Sequence, residues 1–486
     1  MIREFLKGSS IIFIGLVCSK LLALGNNIVL ARFLGSSDFG LFLLGLSVFQ
    51  LFTVIPNLGL SSVLPKFVSE YIELKESKKI EKISALCIGT SLFLGTVFGI
   101  ISYNLAPPIS VKIFHNNELI NVLKILSFVI PISIITSVIM AIYRGYQKTI
   151  YKVALEDILS FVLKIVFFMC LFHAGFKLSA AYYAYVLASL MVLFLAVILV
   201  KNATMMKIKI CFYDKKMSPN LYKLSWPLAL QSVVWVVYSQ IDRLCLGFFL
   251  PSSAIGIYGA AFSIVGMLNF IPRSFSYLAL PNFSAALSRN FSNEFRLTYL
   301  KISKIMFGLS LPILIYLFVF SKQILKMFYG DEYLSGTMAL VLLGIGILSN
   351  CLSGPASDSL IAAGKTKAPL IAITVGCVNN IILNIFLIPI YGINGAAIAT
   401  CIGLFLSRFI MSYFNYFYLK IIPFDYTYII WTIISICLIP LLLLLNKIKI
   451  SILFLKLSFI GLIYIALSYY LLYKLLSHYD IKVKIY

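Results

Sequence analysis

At 486 residues, 61% of them hydrophobic and 12% charged, with a mean hydropathy of +1.01, this chain is excluded from the water-soluble globular class. Apolar runs recur along its whole length, each long enough to cross a hydrocarbon core of roughly 30 Å as a helix. The net charge of +23 would point to nucleic acid in a soluble protein; here it reports how charge is shared among loops, and no nucleic-acid partner is expected.

The runs predict an all-α integral membrane protein of about fourteen transmembrane helices. Nothing in the sequence has the apolar/polar alternation of a barrel strand. In chain order, six spans fall near residues 9–31, 39–64, 84–104, 121–142, 156–174 and 180–200, followed by a cytoplasmic linker at 201–223. Six more fall near 224–248, 256–281, 303–320, 335–361, 368–390 and 394–417, and two further ones near 427–445 and 452–473. With loops assigned alternately, roughly 26 of the Lys and Arg fall on one side, about eight on the other and about six inside spans. That bias predicts a multi-pass protein of the cell (cytoplasmic) membrane with both termini in the cytoplasm. Arg3 and Lys7 precede an apolar run too extended for a signal core and without an A-x-A site, so this run is expected to be the first span. The nine cysteines are scattered singly with no C-x-x-C pair, which predicts neither a disulfide framework nor a zinc site. No metal or cofactor is expected.

The second half repeats the first. IDRLCLGFFLPSSAIGIYGAAFSIVGMLNFIPRSFSYLALPNF, from Ile241 to Phe283, aligns without a gap on GNNIVLARFLGSSDFGLFLLGLSVFQLFTVIPNLGLSSVLPKF, from Gly25 to Phe67. Ser36 and Ser37 match Ser252 and Ser253, Gly40 matches Gly256, Pro56 matches Pro272, and Pro65 and Phe67 match Pro281 and Phe283. Later landmarks follow, with Gly145 matching Gly364 and Gly175 matching Gly392. A duplicated set of six helices inserts the same way up both times, which predicts two lobes about a pseudo-two-fold axis along the membrane normal, with a central cavity between them. The expected divisions are an N-terminal lobe at 1–200, the linker at 201–223, a C-terminal lobe at 224–420, and the added helices and tail at 421–486.

A charged side chain in mid-span costs about 2.5–3.5 kcal/mol on insertion scales, so such residues face the bundle interior or a wet cavity. They are Lys20, Lys164, Arg243, Arg273, Arg408 and Lys456, against Asp157, Asp242 and Asp358. The excess is positive. Lys456 is expected to snorkel to an interface, and Asp157 and Asp358 lie near cytoplasmic ends. Lys20 shares a helical face with Asn27, beside Asn26, and the repeat replaces Asn26 and Asn27 by Asp242 and Arg243. Lys20, Asn27, Asp242, Arg243 and Arg273 form the candidate anion site, with Asn26 a possible polar residue of the cavity wall. Pairing of Asp242 and Arg243 with neighbours, merely fixing packing, is the competing explanation. Lys164, Arg408, Asn380 and Asn384 are further candidates for a polar cavity wall, although interhelical hydrogen bonding accounts at least as well for the asparagines. Pro56 and Pro272 predict a kink at one depth in both copies.

Enzyme signals fail. Gly364-Lys365-Thr366 lacks the earlier glycine of a phosphate loop, since Ser359 stands there. Asp331 and Glu332 belong to an outer loop, and the three histidines are isolated near loops.

The segments ARFLGSSDFGLF, GLSSVLPKFVSEY, YRGYQK and IDRLCLGFFLPSSAIGIY, in this order and spacing, resemble the polysaccharide-biosynthesis flippases of the multidrug/oligosaccharidyl-lipid/polysaccharide exporter superfamily. The resemblance covers essentially the whole chain and extends to O-antigen flippases, lipid II flippases and, more remotely, the twelve-span drug extruders. It implies translocation of a polyprenyl-(pyro)phosphate-linked oligosaccharide from the cytoplasmic to the outer leaflet by alternating access. It also implies a groove for the polyprenyl tail on the two added helices. Lys20 and Arg273 match basic residues that lipid II flippases carry on spans one and eight; their basic residue on span two has no counterpart between Phe39 and Leu64. The extruders carry an acidic residue on span one, where this chain has Lys20. Two alternatives stay open, a cation-coupled exporter of small amphiphiles and a membrane glycosyltransferase acting on polyprenyl sugars. The expected partners are the lipid-linked substrate and membrane lipids, with the chain functional as a monomer.

Overall fold

The computed structural model describes residues 2–204, 210–211, 218–288, 292–422, 426–445 and 453–478. Every element among them is helical, as expected where no water is at hand to satisfy backbone N–H and C=O groups. Residues 205–209 and 212–217 of the 201–223 linker and the Lys456 side chain lie outside the described residues. Among those described, nine helices are apolar and extended enough to cross a membrane, or ten if the bent pair Glu118–Ser127 and Val129–Gly145 is one span. The other helices are interrupted or more polar. Ser160–His173 continues a π-helical stretch at Val153–Leu159, and Ser218–Phe249 carries Gln240, Asp242 and Arg243.

The chain forms two compact units, 1–259 and 260–486. The first opens with Ile2–Val54, a helical run broken at Gly35 (φ 77°, ψ 175°), a conformation a side chain would strain. Leu60–Glu73, Ser77–Pro108, Val129–Gly145 and Lys177–Thr204 follow. They enclose Leu60, Leu64, Val68, Leu86, Val138 and Tyr143. The Tyr143 hydroxyl donates to the Ala196 carbonyl at 3.0 Å, so this buried phenol is satisfied. The charged segment after Glu70 is shared between two helices. Two helices end and begin there, joined by a turn at Leu74–Glu76, where Lys75 is left-handed (φ 56°).

The equivalent prolines act differently in the two copies. Before Leu60 the chain leaves the helix altogether, and Asn57 fills the gap. Its side-chain oxygen accepts from the Ser61 N–H at 3.3 Å and the Ser61 hydroxyl at 3.1 Å, while its amide donates to Ser137 at 3.1 Å. In the other copy, Ser252–Gly266 passes through a 3₁₀ turn at Met267–Asn269 into Phe270–Ser288. Pro272 has no N–H for the Leu268 carbonyl, and the tightened turn falls on that residue.

Where the repeated motif begins, its two copies touch. A β-carbon on Gly40 would overlap the Ser252 carbonyl and stand 2.7 Å from the Gly256 nitrogen. One on Gly256 would overlap the Ser36 carbonyl and stand 3.1 Å from the Gly40 nitrogen. The hydroxyls of Ser37 and Ser252 share a hydrogen bond at 3.0 Å. Ser36 and Ser252 are counterparts in the repeat, as are Gly40 and Gly256, so the contact is reciprocal in the way a two-fold contact must be.

In the second unit, Lys367–Tyr391 and Ile393–Leu419 form a hairpin at Gly392 (φ 58°). The added helices Tyr426–Cys437, Ile439–Leu445 and Leu453–His478 lie against Ser292–Val319. Trp431 stacks on Phe307 at 6.4 Å, and Tyr316 donates to the Leu457 carbonyl at 2.7 Å.

Gly256→Leu should therefore lower the melting temperature of the detergent-solubilised chain, by overpacking worth about 1–3 kcal/mol or more. Gly266→Ala, where a β-carbon meets nothing within 4 Å, is the matched control. Equal melting of Gly256→Leu and the control would contradict a tight crossing.

Candidate functional site

The first unit holds Lys20, Asn26, Asn27, Lys164, Asp242 and Arg243. Lys20 and Asn27 are half-buried on the Ile2–Val54 helix and Asn26 is buried. Asp242 is 5% exposed and accepts a 2.7 Å hydrogen bond from the Tyr258 hydroxyl. Arg243, half-buried, heads a network of neutral groups. Its Nη1 donates to Gln240 Oε1 at 3.2 Å, and the same oxygen accepts from the Ser47 hydroxyl at 2.9 Å. Gln240 Nε2 in turn donates to Gln50 Oε1 at 2.9 Å and to the Ser239 hydroxyl at 3.1 Å. Ser47 and Gln50 share one face of their helix, three residues apart, and Gln240 stands three residues before Arg243, so both pairs are set by helical spacing.

Lys164 lies on Ser160–His173, with its Nζ 4.2 Å from the centroid of Tyr185 and 5.1 Å from that of Phe161. A ring face stabilises an ammonium without neutralising it, by about 0.5–2 kcal/mol. Tyr185 is held by Phe49, edge to face at 5.8 Å, next in sequence to Gln50. Asp157 and Glu156, one turn of the π-helix away, are both taken by Lys152, at 3.1 and 3.8 Å.

The second unit holds Arg273, Asn380, Asn384 and Arg408. Arg273 is exposed one residue after Pro272. Asn380 and Asn384 are buried at 1% and 0% exposure. Asn384 donates to Asn380 at 3.0 Å and Asn380 to the Thr400 hydroxyl at 3.2 Å, which ties the two helices of the hairpin together. Arg408 donates through Nε to Asn350 at 2.6 Å, and Asn350 to Asn269 at 3.3 Å. Asp358 accepts from the Ser276 hydroxyl at 2.6 Å. Among the described residues no group of His, Cys, Asp and Glu could hold a metal ion.

Sequence inspection passed over Gln240, Ser47, Gln50, Tyr185, Tyr258, Asn350 and Asn269. Uncharged polar residues barely move a hydropathy profile. The one usable signal was spacing, Gln240 before Arg243 and Ser47 before Gln50.

The arrangement of these helices is that of known polytopic membrane proteins. The chain superimposes with a TM-score of 0.79 on the structure described as "Lipid II flippase MurJ, inward closed conformation", over 96% of this chain and 99% of that one, at 20% identity. Against an inward-facing multidrug resistance MATE family transporter of the MOP superfamily the TM-score is 0.70, over 83% of this chain and 94% of that one, at 16% identity. The family model described as polysaccharide biosynthesis protein matches residues 5–287, more than half of the sequence, and the chain belongs to that family. A second model, MatE, matches residues 227–386. The chain is also 23% identical over 407 residues to a putative O-antigen transporter of Shigella flexneri, covering 82% of this chain and 94% of that protein. The family and the multi-pass membrane character are those the motifs predict.

Tyr258→Phe deletes the hydrogen bond to buried Asp242 and should cost about 1 kcal/mol or more. Thermal melting in detergent checks this, and a variant as stable as the parent would contradict a structural tie at Asp242.

Proposed function

We propose that this chain is a flippase carrying a polyprenyl-(pyro)phosphate-linked oligosaccharide from the cytoplasmic to the outer leaflet of the cell membrane, by alternating access, for surface glycan assembly. The observation that carries the proposal is the excess of basic side chains in the apolar helices, Lys20, Lys164, Arg243, Arg273 and Arg408 against Asp157, Asp242 and Asp358. In the first unit the carboxylate of Asp242 is engaged by Tyr258 and those of Glu156 and Asp157 by Lys152. Arg243 donates to the neutral Gln240, and Lys164 lies over the face of the Tyr185 ring. An anionic headgroup fits that balance. Membership of the polysaccharide biosynthesis family supports the same substrate class, as does the similarity to a putative O-antigen transporter and to the lipid II flippase MurJ.

In this proposal Lys20 and Arg243 hold headgroup phosphate from the first unit, and Arg273 has the same role in the second. Asn27 contacts sugar, and Asp242 positions its helix. Lys164 and Arg408 line the polar path, with Asn26, Asn380 and Asn384 as structural polar neighbours. A headgroup needs such a wet, basic surface, while a polyprenyl tail stays in lipid at no cost. The added C-terminal helices are its candidate support. A membrane potential negative inside drives an anionic headgroup outward, by about 2.3 kcal/mol per charge per 100 mV. The chain spans the membrane about fourteen times with both termini cytoplasmic, works as a monomer, and performs no catalysis. A cation-coupled exporter is the second reading, favoured by the MatE match over residues 227–386.

In proteoliposomes, Lys20→Ala should slow translocation of a fluorescent polyprenyl-pyrophosphate saccharide about tenfold or more, the worth of one hydrogen bond from a charged group. Reconstitution should be unimpaired. Parent-like transport would remove Lys20 from the site, and substrate-driven cation flux abolished by Asp242→Asn would favour the exporter.

A further inference from the structure

We propose that the last two turns of the Ile393–Leu419 helix, with the Gly364 turn beside them, form a binding site for an anionic phospholipid. This depends on the chain spanning a membrane and not on what it transports. Lys420 closes the helix in a left-handed conformation (φ 55°), its N–H bonded to the Tyr416 carbonyl at 3.0 Å. Its Nζ stands 5.4 Å from the Tyr416 ring and 5.9 Å from that of Phe417. From the other side, Gly364 (φ 73°) turns the chain so that Lys365 Nζ lies 5.0 Å from the Tyr418 ring. Lys367, exposed, opens the next helix.

Two lysines from two segments thus meet one exposed aromatic ladder, in which Phe417 and Tyr418 pack edge to face at 5.1 Å, and Lys367 lies two residues beyond the first of them. Among the described residues none of the three has a carboxylate partner. The only acidic residue between Ala356 and Ile422 is Asp358, which Ser276 holds. An interfacial aromatic belt needs rings at the headgroup level but no gathering of cations. Rings that orient ammonium groups without neutralising them leave a positive cradle at the end of an apolar helix face. A phosphodiester fits the cradle, and acyl chains fit the exposed Phe417 and Phe409 below it. With the loops assigned by charge, this end faces the cytoplasmic leaflet.

The test places the full chain carrying Phe417→Trp in bilayer nanodiscs and reads the added fluorescence against the parent chain. Brominated phosphatidylglycerol and brominated phosphatidylcholine serve as quenchers at equal mole fraction. The site predicts at least about fivefold preference for phosphatidylglycerol, the factor one lysine near a membrane surface supplies. That preference should fall to about one in the Lys365→Ala, Lys367→Ala, Lys420→Ala variant on the same background. Equal quenching by both lipids with the lysines in place would overturn the proposal, leaving an ordinary belt. So would a preference that survives loss of the lysines. Displacement of the brominated phosphatidylglycerol by equimolar polyprenyl phosphate would reassign the cradle to the transported lipid.

Discussion

Two glycines in the same place of a repeated motif let that motif lie against its own copy. Gly40 and Gly256 bring backbone to backbone where any side chain would collide with a carbonyl, and Ser37 and Ser252 bridge the crossing. In lipid there is little hydrophobic gain in bringing helices together, so close packing of small residues and hydrogen bonds between helices must supply the cohesion. The polar network depends on this crossing. Ser47 and Gln50 lie two to three turns beyond Gly40 on the same helix, and Gln240 and Arg243 lie on the helix that leads into Ser252–Gly266. Fixing the crossing sets the register at which the two glutamines meet.

That register explains how charge is tolerated at membrane depth. An arginine or lysine inside a span is expensive unless something meets it, and a carboxylate partner would cancel the charge it offers to a ligand. Here neutral groups take part. Gln240 accepts from Arg243, and its amide passes the bond on to Gln50. Tyr185, pinned by Phe49, presents its face to Lys164. The carboxylates have their own partners, Asp242 with Tyr258, Asp157 with Lys152 and Asp358 with Ser276. These neutral contacts position Arg243 and Lys164 in a chain of the polysaccharide biosynthesis family.

Features that obey a spacing rule were legible in the sequence. Matched prolines at 56 and 272 announced two interruptions, and matched glycines at 40 and 256 announced the duplication that the contact between them uses. The difference between the interruptions was not legible, because it depends on Asn57 finding Ser137, some eighty residues on, whereas the repeat answers Pro272 with a 3₁₀ turn. Basic residues in spans stood out by their cost. Their neutral partners did not, since a glutamine or tyrosine in an apolar run is unremarkable until a second helix is laid beside it. The π-helical stretch that carries Glu156 and Asp157 likewise has no signature in the residues themselves.

The most direct test of a role in moving lipid-linked saccharide is to purify the chain from its native membrane and identify co-purifying lipids by mass spectrometry, beside a variant with Arg243 and Arg273 both changed to alanine. A polyprenyl-phosphate saccharide retained by the intact chain and depleted in the variant is the predicted result. Small cationic amphiphiles in its place, held equally with and without the two arginines, would contradict it.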